Sequence, residues 1–484
     1  MKHAREPRTG GVSGRSIVAV PGARQPDSHG SRATAPLPHR QPEPMNRASS
    51  RTIPSFSLGA AASFLAAATF AGSAAAQTPT MKELLDRIDA QDKRIEQLTN
   101  GAAAGFSSGY RRGFFIRSSD PNSPFHLRIN GRMQFRYVGF ASDSDAAVVN
   151  PDRNDFEIER ARLEFRGTFF DPDTHFYINL DADTDENHRV IFHDFWVNHD
   201  LGENHSLYVG KAFFPGSRDW MNGSTTTHLI DRSMATTFFR PDRSIGVWLI
   251  GKMCGDIHYR IAVMNGLKTT DLAPDSVDGN LAYGASFWRD FGASYGKGYA
   301  DLQQHEEAAV RIGSSFSYAQ QDEVQGQANA EAGVVRLSDG SKLNQSGMGV
   351  EDFTFALAAA DAAFKFHGFA LHGEAFFRQL SDIRSGTMPA IRDGYYDWGG
   401  YCDAGYMIVP QRFEVVARAS TVQGALGDSN EYAAGVNWYV AGTHENKLSF
   451  DVTKLDGSPT SNSSPNFRVG DEGLMIRFQW QIAF

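Results

Sequence analysis

The chain has 484 residues, a formal net charge of −9 and a hydrophobic fraction of 41%, and this acidic balance gives no support for nucleic-acid binding. Beyond the N-terminal region, no run of about 20 apolar residues could cross a bilayer as a helix, so a membrane protein of this composition would have to be a β-barrel. Cys254 and Cys402 lie far apart, without CxxC or Cys/His spacing. We therefore predict no disulfide framework, no metal site and no cofactor.

The N-terminal region contains two kinds of sequence. Residues 1–44 are rich in Arg, Pro, Ser and Gly without periodicity. We predict that they are disordered, or that they are an upstream extension that results from a misassigned start. Residues 45–76 have the order of a secretory signal, with an arginine-containing start, an apolar stretch and three alanines before Gln77. We predict a cleaved signal peptide and export, with a membrane anchor as the alternative. Cleavage would remove nine Lys and Arg and three Asp and Glu, leaving a net charge of about −15.

A helical pattern follows within residues 77–100. Its seam residues are spaced four, three, four and three apart: Leu84, Ile88, Gln91, Ile95 and Leu98. This pattern predicts a short periplasmic coiled-coil segment, which at roughly 18 residues is marginal alone and would need partner helices. A solvated single helix is the alternative. Residues 101–124 are predicted to be a linker, because their first part reads GAAAGFSSG.

From about Phe125 the pattern has a period of two. In residues 125–137 an apolar row alternates with a row that contains His126, Arg128, Arg132 and Arg136, as expected for a strand between lipid and water. Sixteen such segments, each of about ten residues, are predicted. They start near residues 125, 156, 175, 190, 206, 244, 257, 281, 308, 352, 369, 400, 413, 430, 446 and 473.

The connections alternate between short and long. The short ones are residues 171–173, 201–204, 254–256, 367–368, 410–411 and 442–445, and the long ones lie near 139–155, 214–243, 266–280, 321–351, 380–399 and 456–472. Short turns on one rim and long loops on the other are typical of outer-membrane barrels; only the connection near 291–307 is too long for its rim. We predict an all-β fold, a sixteen-stranded antiparallel transmembrane β-barrel over residues 125–484, with a short N-terminal periplasmic coiled-coil helix.

The last strand ends on an aromatic residue. Phe484 follows Ile482, Trp480, Phe478 and Ile476 at every second position. This arrangement resembles the signal for insertion of barrels into the outer membrane, so the expected partners are outer-membrane lipid and the barrel-assembly machinery. A closed sheet also leaves no unpaired backbone edge in lipid.

Several short segments, in order along residues 125–484, resemble the phosphate-selective porins O and P. They are Asn130–Gln134, Arg160–Gly167, Tyr177–Asp181, Val209–Lys211, Gly435–Tyr439 and Gly473–Arg477. The resemblance implies a sixteen-stranded, homotrimeric outer-membrane porin that forms a passive channel for small anions such as phosphate. A general, weakly selective porin and a structural barrel that anchors the membrane through its N-terminal helix are the alternatives.

The resemblance also implies particular pore residues. Arg132 matches an arginine of the lumen wall, Arg160 matches the second of an adjacent arginine pair, and Arg218 lies near the expected loop lysine. Three departures concern the same region. Glu159 stands in place of the first paired arginine, Arg162 in place of a tyrosine, and His193 in place of an aspartate.

The predicted pore chemistry depends on arginine, whose planar fork offers several donors and keeps its charge. The predicted inward faces also carry carboxylates, so salt bridges that brace the wall are the alternative role for each cation. Residues 214–243 would form the constriction if they fold inward. The candidate pore and anion-binding residues are Arg132, Arg160, Arg162, Arg218, Lys211, Arg128 and Arg136.

Enzymatic activity has little sequence support. No HExxH or Gly-rich phosphate loop is present. His193 and His199 fall on a predicted outward register, but no activated serine accompanies them. We therefore predict a protein without catalytic residues.

Overall fold

The computed structural model describes Lys82, residues 86–93 and residues 105–484 apart from 144–149, 184–188, 270–275, 325–328, 345–348 and 386–393. The chain divides into two units, residues 1–78 and residues 79–484. The predicted extension and signal peptide belong to the first unit and lie outside the described residues. Residues 86–93 are helical and exposed, and the coiled coil stays a prediction. Within the described part, no helix is long and apolar enough to span a membrane.

The described residues contain eighteen strands in one antiparallel sheet. They are β1 (Phe106–Tyr110), β2 (Phe114–Ser118), β3 (His126–Ser142), β4 (Arg153–Phe169), β5 (Asp171–Asp181), β6 (Ile191–Asp200), β7 (His205–Phe213), β8 (Arg243–Met253), β9 (Ile257–Asn265), β10 (Leu281–Gly292), β11 (Ala309–Gln321), β12 (Val350–Phe366), β13 (Phe369–Ser385), β14 (Gly394–Val409), β15 (Phe413–Gly424), β16 (Gly427–Tyr439), β17 (Asn446–Asp456) and β18 (Gly473–Ala483). Strands β3 to β18 confirm the sixteen predicted segments.

Strands β3 to β18 close into a barrel. Each pairs with the next along the chain, and β18 pairs back with β3, from Gly473 opposite Ser142 to Ala483 opposite Arg132. At the end of this seam the Phe484 amide donates to the Gly131 carbonyl at 2.9 Å, and the Gly131 amide donates to the Phe484 carbonyl at 3.1 Å. Closure therefore extends to the last residue and removes the sheet edge that lipid could not solvate.

The strands alternate between an apolar outer face and a polar inner face. On β15, Phe413 and Val415 are 44% and 38% exposed, whereas Glu414 between them is 1% exposed. The same alternation recurs on β18, where Trp480 is 44% exposed and Gln479 is 1% exposed. The outer face therefore suits lipid and the inner face lines a polar lumen.

One connection on the short-turn rim is long, as the sequence indicated. Residues 293–308, which join β10 to β11, are called the inward turn because Tyr295, Tyr299 and Asp301 are buried there. The Tyr299 amide donates to the carbonyl of Thr226 at 3.3 Å, and Thr226 belongs to a loop from the opposite rim. The segment therefore enters the barrel instead of spanning its rim.

Part of the predicted linker is a hairpin. Strands β1 and β2 pair from Phe106 opposite Ser118 to Tyr110 opposite Phe114, and β2 pairs with the first residues of β3. This corrects the prediction for residues 101–124. The start of β3 extends beyond the end of β18, so it has a backbone edge that β2 covers.

The connection between β7 and β8, residues 214–242, folds into the barrel and is called L3. It contains two short helices, α1 (Arg218–Met221) and α2 (Met234–Phe239). Its backbone amides donate to inward-facing wall residues: Ile230 to Asp451 at 3.1 Å, Met234 to Glu431 at 2.7 Å and Ala235 to Ser420 at 3.1 Å. The wall thus satisfies the buried backbone of L3, as buried donors require.

Candidate functional site

A cavity of about 400 Å³ lies between L3 and the inner faces of β3 to β8. We call it the arginine cavity. Its cationic side chains are Arg132, Arg160, Arg162, Lys211, Arg232, Arg240 and Arg243, and its acidic side chains are Glu159, Glu164, Asp181, Asp183, Asp194 and Asp242. Four of the seven predicted pore residues therefore lie in one place, surrounded by nearly balanced charge.

Two β-bulges direct side chains into this cavity. Gln134 lies opposite Arg160 and Phe135 opposite Ile158, so Glu159 is an extra residue, and Glu159 and Arg160 are both buried inside. Such insertions re-aim side chains and are over-represented near functional sites.

The second bulge lies in β6. Asn179 lies opposite Asp194 and Leu180 opposite Phe192, which leaves His193 as the extra residue. His193 lines the cavity, with its Nδ1 3.7 Å from Asp181 Oδ2. The predicted outward register of His193 is wrong, because strict alternation takes no account of a bulge.

Arg132 and Arg162 lie opposite each other on β3 and β4. Arg162 Nε donates to Asp181 Oδ2 at 2.5 Å. Arg132 Nη2 is 3.7 Å from Glu164 Oε1, and its Nε makes no hydrogen bond to any described residue. Arg132 is therefore the less firmly paired of the two.

Asp231 of L3 forms ion pairs with two wall arginines. Its Oδ2 is 2.8 Å from Arg160 Nη2 and 3.3 Å from Arg136 Nη2. Although burial opposes ionisation, the charges of Arg160 and Arg136 hold the pKa of Asp231 well below its ordinary value. Asp231 could not be identified from the sequence, since no periodic pattern runs through L3.

Arg136 does not line the arginine cavity. Its side chain is fully buried and lies 3.4 Å from Glu157, 3.6 Å from Glu159 and 3.3 Å from Asp231. This geometry is that of a brace between the wall and L3, which was the alternative role for the inward arginines. It differs from the geometry expected of an anion-binding residue, the role predicted for Arg136.

Three arginines surround the indole ring of Trp220 in L3. The guanidinium carbons of Arg232, Arg240 and Arg243 lie 4.6, 3.9 and 5.3 Å from the ring centroid. Burial lowers the pKa of Arg232 to about 10, so it stays charged at neutral pH. Stacking on one aromatic ring helps to hold these like charges together.

Arg218 and Arg128 lie apart from this group. Arg218 lines a second cavity of about 320 Å³, together with Arg260, Arg311 and Asp361. Its guanidinium stacks over Trp288 at 4.2 Å and its Nε is 3.5 Å from Asp361. Arg128 lies opposite Arg166, nearer the short-turn rim.

Comparison with protein families matches residues 128–484 to the family "Phosphate-selective porin O and P". A search of curated proteins finds no match. Similar solved structures include the anion-selective porin from Comamonas acidovorans, with 11% identity over 74% of this chain and 99% of that chain and a TM-score of 0.48. OmpF of Salmonella typhi in complex with daunomycin has 14% identity over 78% and 100%, with a TM-score of 0.49. The channel DcaP of Acinetobacter baumannii has 12% identity over 76% and 99%, with a TM-score of 0.45.

The family match covers most of the chain, including the barrel from Arg128 onward, L3 and both cavities. It confirms the resemblance that the short sequence segments indicated. Proteins of this family and fold are channels. The chain belongs to the phosphate-selective porin O and P family and is an outer-membrane porin.

Proposed function

We propose that the barrel is a passive channel for small anions and that the arginine cavity is where they bind. The observation that carries this proposal is the placement of seven cationic side chains around one cavity between L3 and the wall. These cations outnumber the six carboxylates of the cavity by one, and a net positive charge in a cleft with low-dielectric walls concentrates the counter-ion. Phosphate is the anion that the family name favours.

Arg132, Arg162 and Lys211 are the proposed binding residues. A selective pore must replace part of the hydration of the anion with N–H donors and still release it. Arg132 and Arg162 face each other across β3 and β4, so their forks could contact one phosphate together. Their acidic neighbours Glu164 and Asp181 would weaken that binding and so favour release.

Arg160 is proposed to act in two ways. Its guanidinium donates to Gln134 Oε1 at 2.7 Å and is 2.8 Å from Asp231, and the residue is only 3% exposed. It therefore fixes L3 while adding positive potential to the cavity. Arg218 would contribute from the second cavity, on the other side of L3.

The charge balance of the arginine cavity supports modest selectivity. Six carboxylates oppose its seven cations. Glu159 stands where the resemblance places an arginine. A large preference for phosphate over chloride would therefore have to come from donor geometry more than from net charge.

Export, insertion and assembly complete the proposal. Residues 45–76 would direct export, and the C-terminal strand ending in Phe484 would be read by the barrel-assembly machinery. The apolar outer faces of β3 to β18 would contact outer-membrane lipid. A homotrimer is proposed from the family resemblance.

Reversal potentials across a KCl gradient in planar bilayers test the proposal. We expect an anion-selective current that millimolar phosphate reduces. Arg132→Ala and Arg162→Ala should each weaken the block by about tenfold or more, because each removes a charge-assisted hydrogen bond. Arg128→Ala is the matched control, since Arg128 faces the lumen on β3 outside the cavity lining, and it should leave the block unchanged.

Three outcomes of these measurements would contradict parts of the proposal. A cation-selective current in wild-type protein would overturn the proposal of an anion channel. An anion-selective current that phosphate does not reduce would exclude phosphate binding and leave a general porin. A block abolished by Arg218→Ala but retained in Arg132→Ala and Arg162→Ala would place the site in the second cavity.

A further inference from the structure

Two buried histidines face two carboxylates where L3 meets the wall. His228 lies in L3 and is 0% exposed, and His372 lies on β13 and is 3% exposed. Asp403 comes from β14 and Glu414 from β15, and both are buried. The donor atoms of His228, His372 and Asp403 all lie within 4.8 Å of one another.

The histidine rings have no hydrogen-bond partners among the described residues. Both nitrogens of His228 and both nitrogens of His372 are buried and unpaired, and so is Glu414 Oε1. Buried polar atoms without a partner are rare in folded proteins. Here one ring nitrogen of each histidine lies within 4.8 Å of the other and of an Asp403 oxygen, and Glu414 Oε1 lies 3.5 Å from His228 Nε2, which indicates a ligand that takes nitrogen and oxygen donors together.

The separations between these atoms suit a metal ion. His228 Nε2 is 3.5 Å from Glu414 Oε1, and His372 Nε2 is 3.6 Å from Asp403 Oδ2. Donors bound tetrahedrally to zinc at roughly 2.0–2.2 Å lie about 3.3–3.6 Å apart. These two separations are therefore too long for good hydrogen bonds and match two of the six edges of such a tetrahedron. The donor atoms of His228, His372 and Asp403 lie within 4.8 Å of one another, so they would draw closer when an ion binds.

The surroundings hold the carboxylates in place. Asp403 accepts two hydrogen bonds from Arg418, both of 2.7 Å. Glu414 Oε2 accepts from Asn437 at 2.8 Å and Tyr439 at 2.7 Å, which leaves its Oε1 directed at His228. Such outer contacts orient metal ligands in known sites.

Space and access are also present. A Cβ at Gly405 would lie 2.6 Å from Glu414 Oε1 and 3.0 Å from His228 Nε2, so glycine keeps the donor atoms uncrowded. His372 also lines the second cavity, through which an ion could reach the cluster. These features meet the requirement for an entry path and room between the donors.

We propose that His228, His372, Asp403 and Glu414 bind a divalent transition-metal ion of the zinc type. Two imidazole donors beside carboxylates favour Zn²⁺ over Mg²⁺ or Ca²⁺. The ion would join L3 to three wall strands at one point. No metal site was predicted from the sequence, because the four donors lie on four separate elements.

The test uses untagged, refolded full-length protein that has been stripped with EDTA and then incubated with zinc chloride. We expect about one zinc per chain by elemental analysis after gel filtration, and tetrahedral Co²⁺ absorption when cobalt replaces zinc. His372→Ala and His228→Ala should each weaken binding by about a hundredfold, more than the loss of an outer contact. His444→Ala is the control, because His444 is also buried with unpaired ring nitrogens.

Folding is checked by the heat-dependent gel mobility of the barrel. If both histidine variants fail to fold, Gly405→Ala decides, because it keeps every ligand and crowds two of them. Weaker zinc binding in Gly405→Ala supports the site. Wild-type protein that retains no zinc, or variants that bind it as tightly as wild type, would overturn the proposal, whatever the anion selectivity of the channel.

Discussion

Glu159 is one of the six carboxylates that offset the cationic charge of the arginine cavity. Its carboxylate lies 3.2 Å from Arg160 and 3.6 Å from Arg136, and its Oε2 makes no hydrogen bond to a described residue. The bulge in β4 brings it inside beside Arg160. A single carboxylate thus offsets part of the positive potential of two arginines.

We expect Glu159→Gln to increase anion preference. The amide keeps the shape of the side chain but removes one of six negative charges, and the ratio of chloride to potassium permeability should rise roughly two- to fivefold. Reversal potentials in a KCl gradient measure this ratio. Asp155→Asn, on an exposed part of the same strand, should leave it unchanged; an equal effect of both variants would show that only overall charge matters.

Alternation along the strands predicted which arginines face inward but not how each is paired. Arg132 and Arg162 line the arginine cavity as their positions on β3 and β4 indicated. His193 was assigned to the wrong face because a bulge shifts the register by one residue. The partnership of Asp231 with Arg136 and Arg160 joins residues far apart in sequence, and no local pattern records it.

At the scale of elements, the strands were predictable and the segments inside the barrel were not. A period of two located all sixteen barrel strands, since lipid and water impose opposite demands on their faces. The β1–β2 hairpin was missed because each strand has only five residues and the small residues Ser107, Ser108 and Gly109 of β1 resemble a linker. For the inward turn, the sequence indicated only that the connection near 291–307 is too long for its rim.

Loop 322–349, between β11 and β12, contains a buried carboxyl group, that of Glu331. Glu331 is 1% exposed, and Gln321 Nε2 donates to its Oε1 at 2.7 Å. Burial, followed by the charge of Asp278, raises the pKa of Glu331 to about 8 from its ordinary value of 4.5. The folded loop therefore favours the protonated form of Glu331. The stability that this protonated carboxyl contributes to the loop is complete below about pH 4.5 and is lost as the pH rises through 8.

We expect residues 329–344 to exchange amide hydrogens faster at pH 8.5 than at pH 6, after correction for intrinsic rates. Glu331→Gln should remove this difference, because the amide cannot ionise. Glu323→Gln, at an exposed position in the same loop, should retain it. Identical corrected rates at both pH values in wild type would contradict the raised pKa.

At the scale of the whole molecule, the seam that closes the barrel extends to its last residue. Phe484 forms two backbone hydrogen bonds with Gly131, and its ring lies directly over that glycine, where a Cβ would be 2.4 Å from Phe484 Cζ. The residue that the sequence marked as an insertion signal also completes the seam in the folded protein.

Removing Phe484 should lower the urea midpoint of the barrel refolded in lipid vesicles, because both Gly131 backbone groups lose their partner. Phe484→Leu keeps these backbone hydrogen bonds and should stay close to wild type. Heat-dependent gel mobility reports the folded fraction at each urea concentration. Equal midpoints for the truncated and wild-type proteins would show that the seam is complete without its last residue.

The position of L3 has a consequence for the order in which the molecule folds. Ile230 and Thr227 bind Asp451 and Lys447, partners more than 200 residues later in the chain, and the inward turn meets L3 from the opposite rim. Contacts of such long sequence separation form slowly. The interior can therefore be completed only after the wall, so a newly closed barrel should pass through a stage with a wide, unrestricted pore before L3 narrows it.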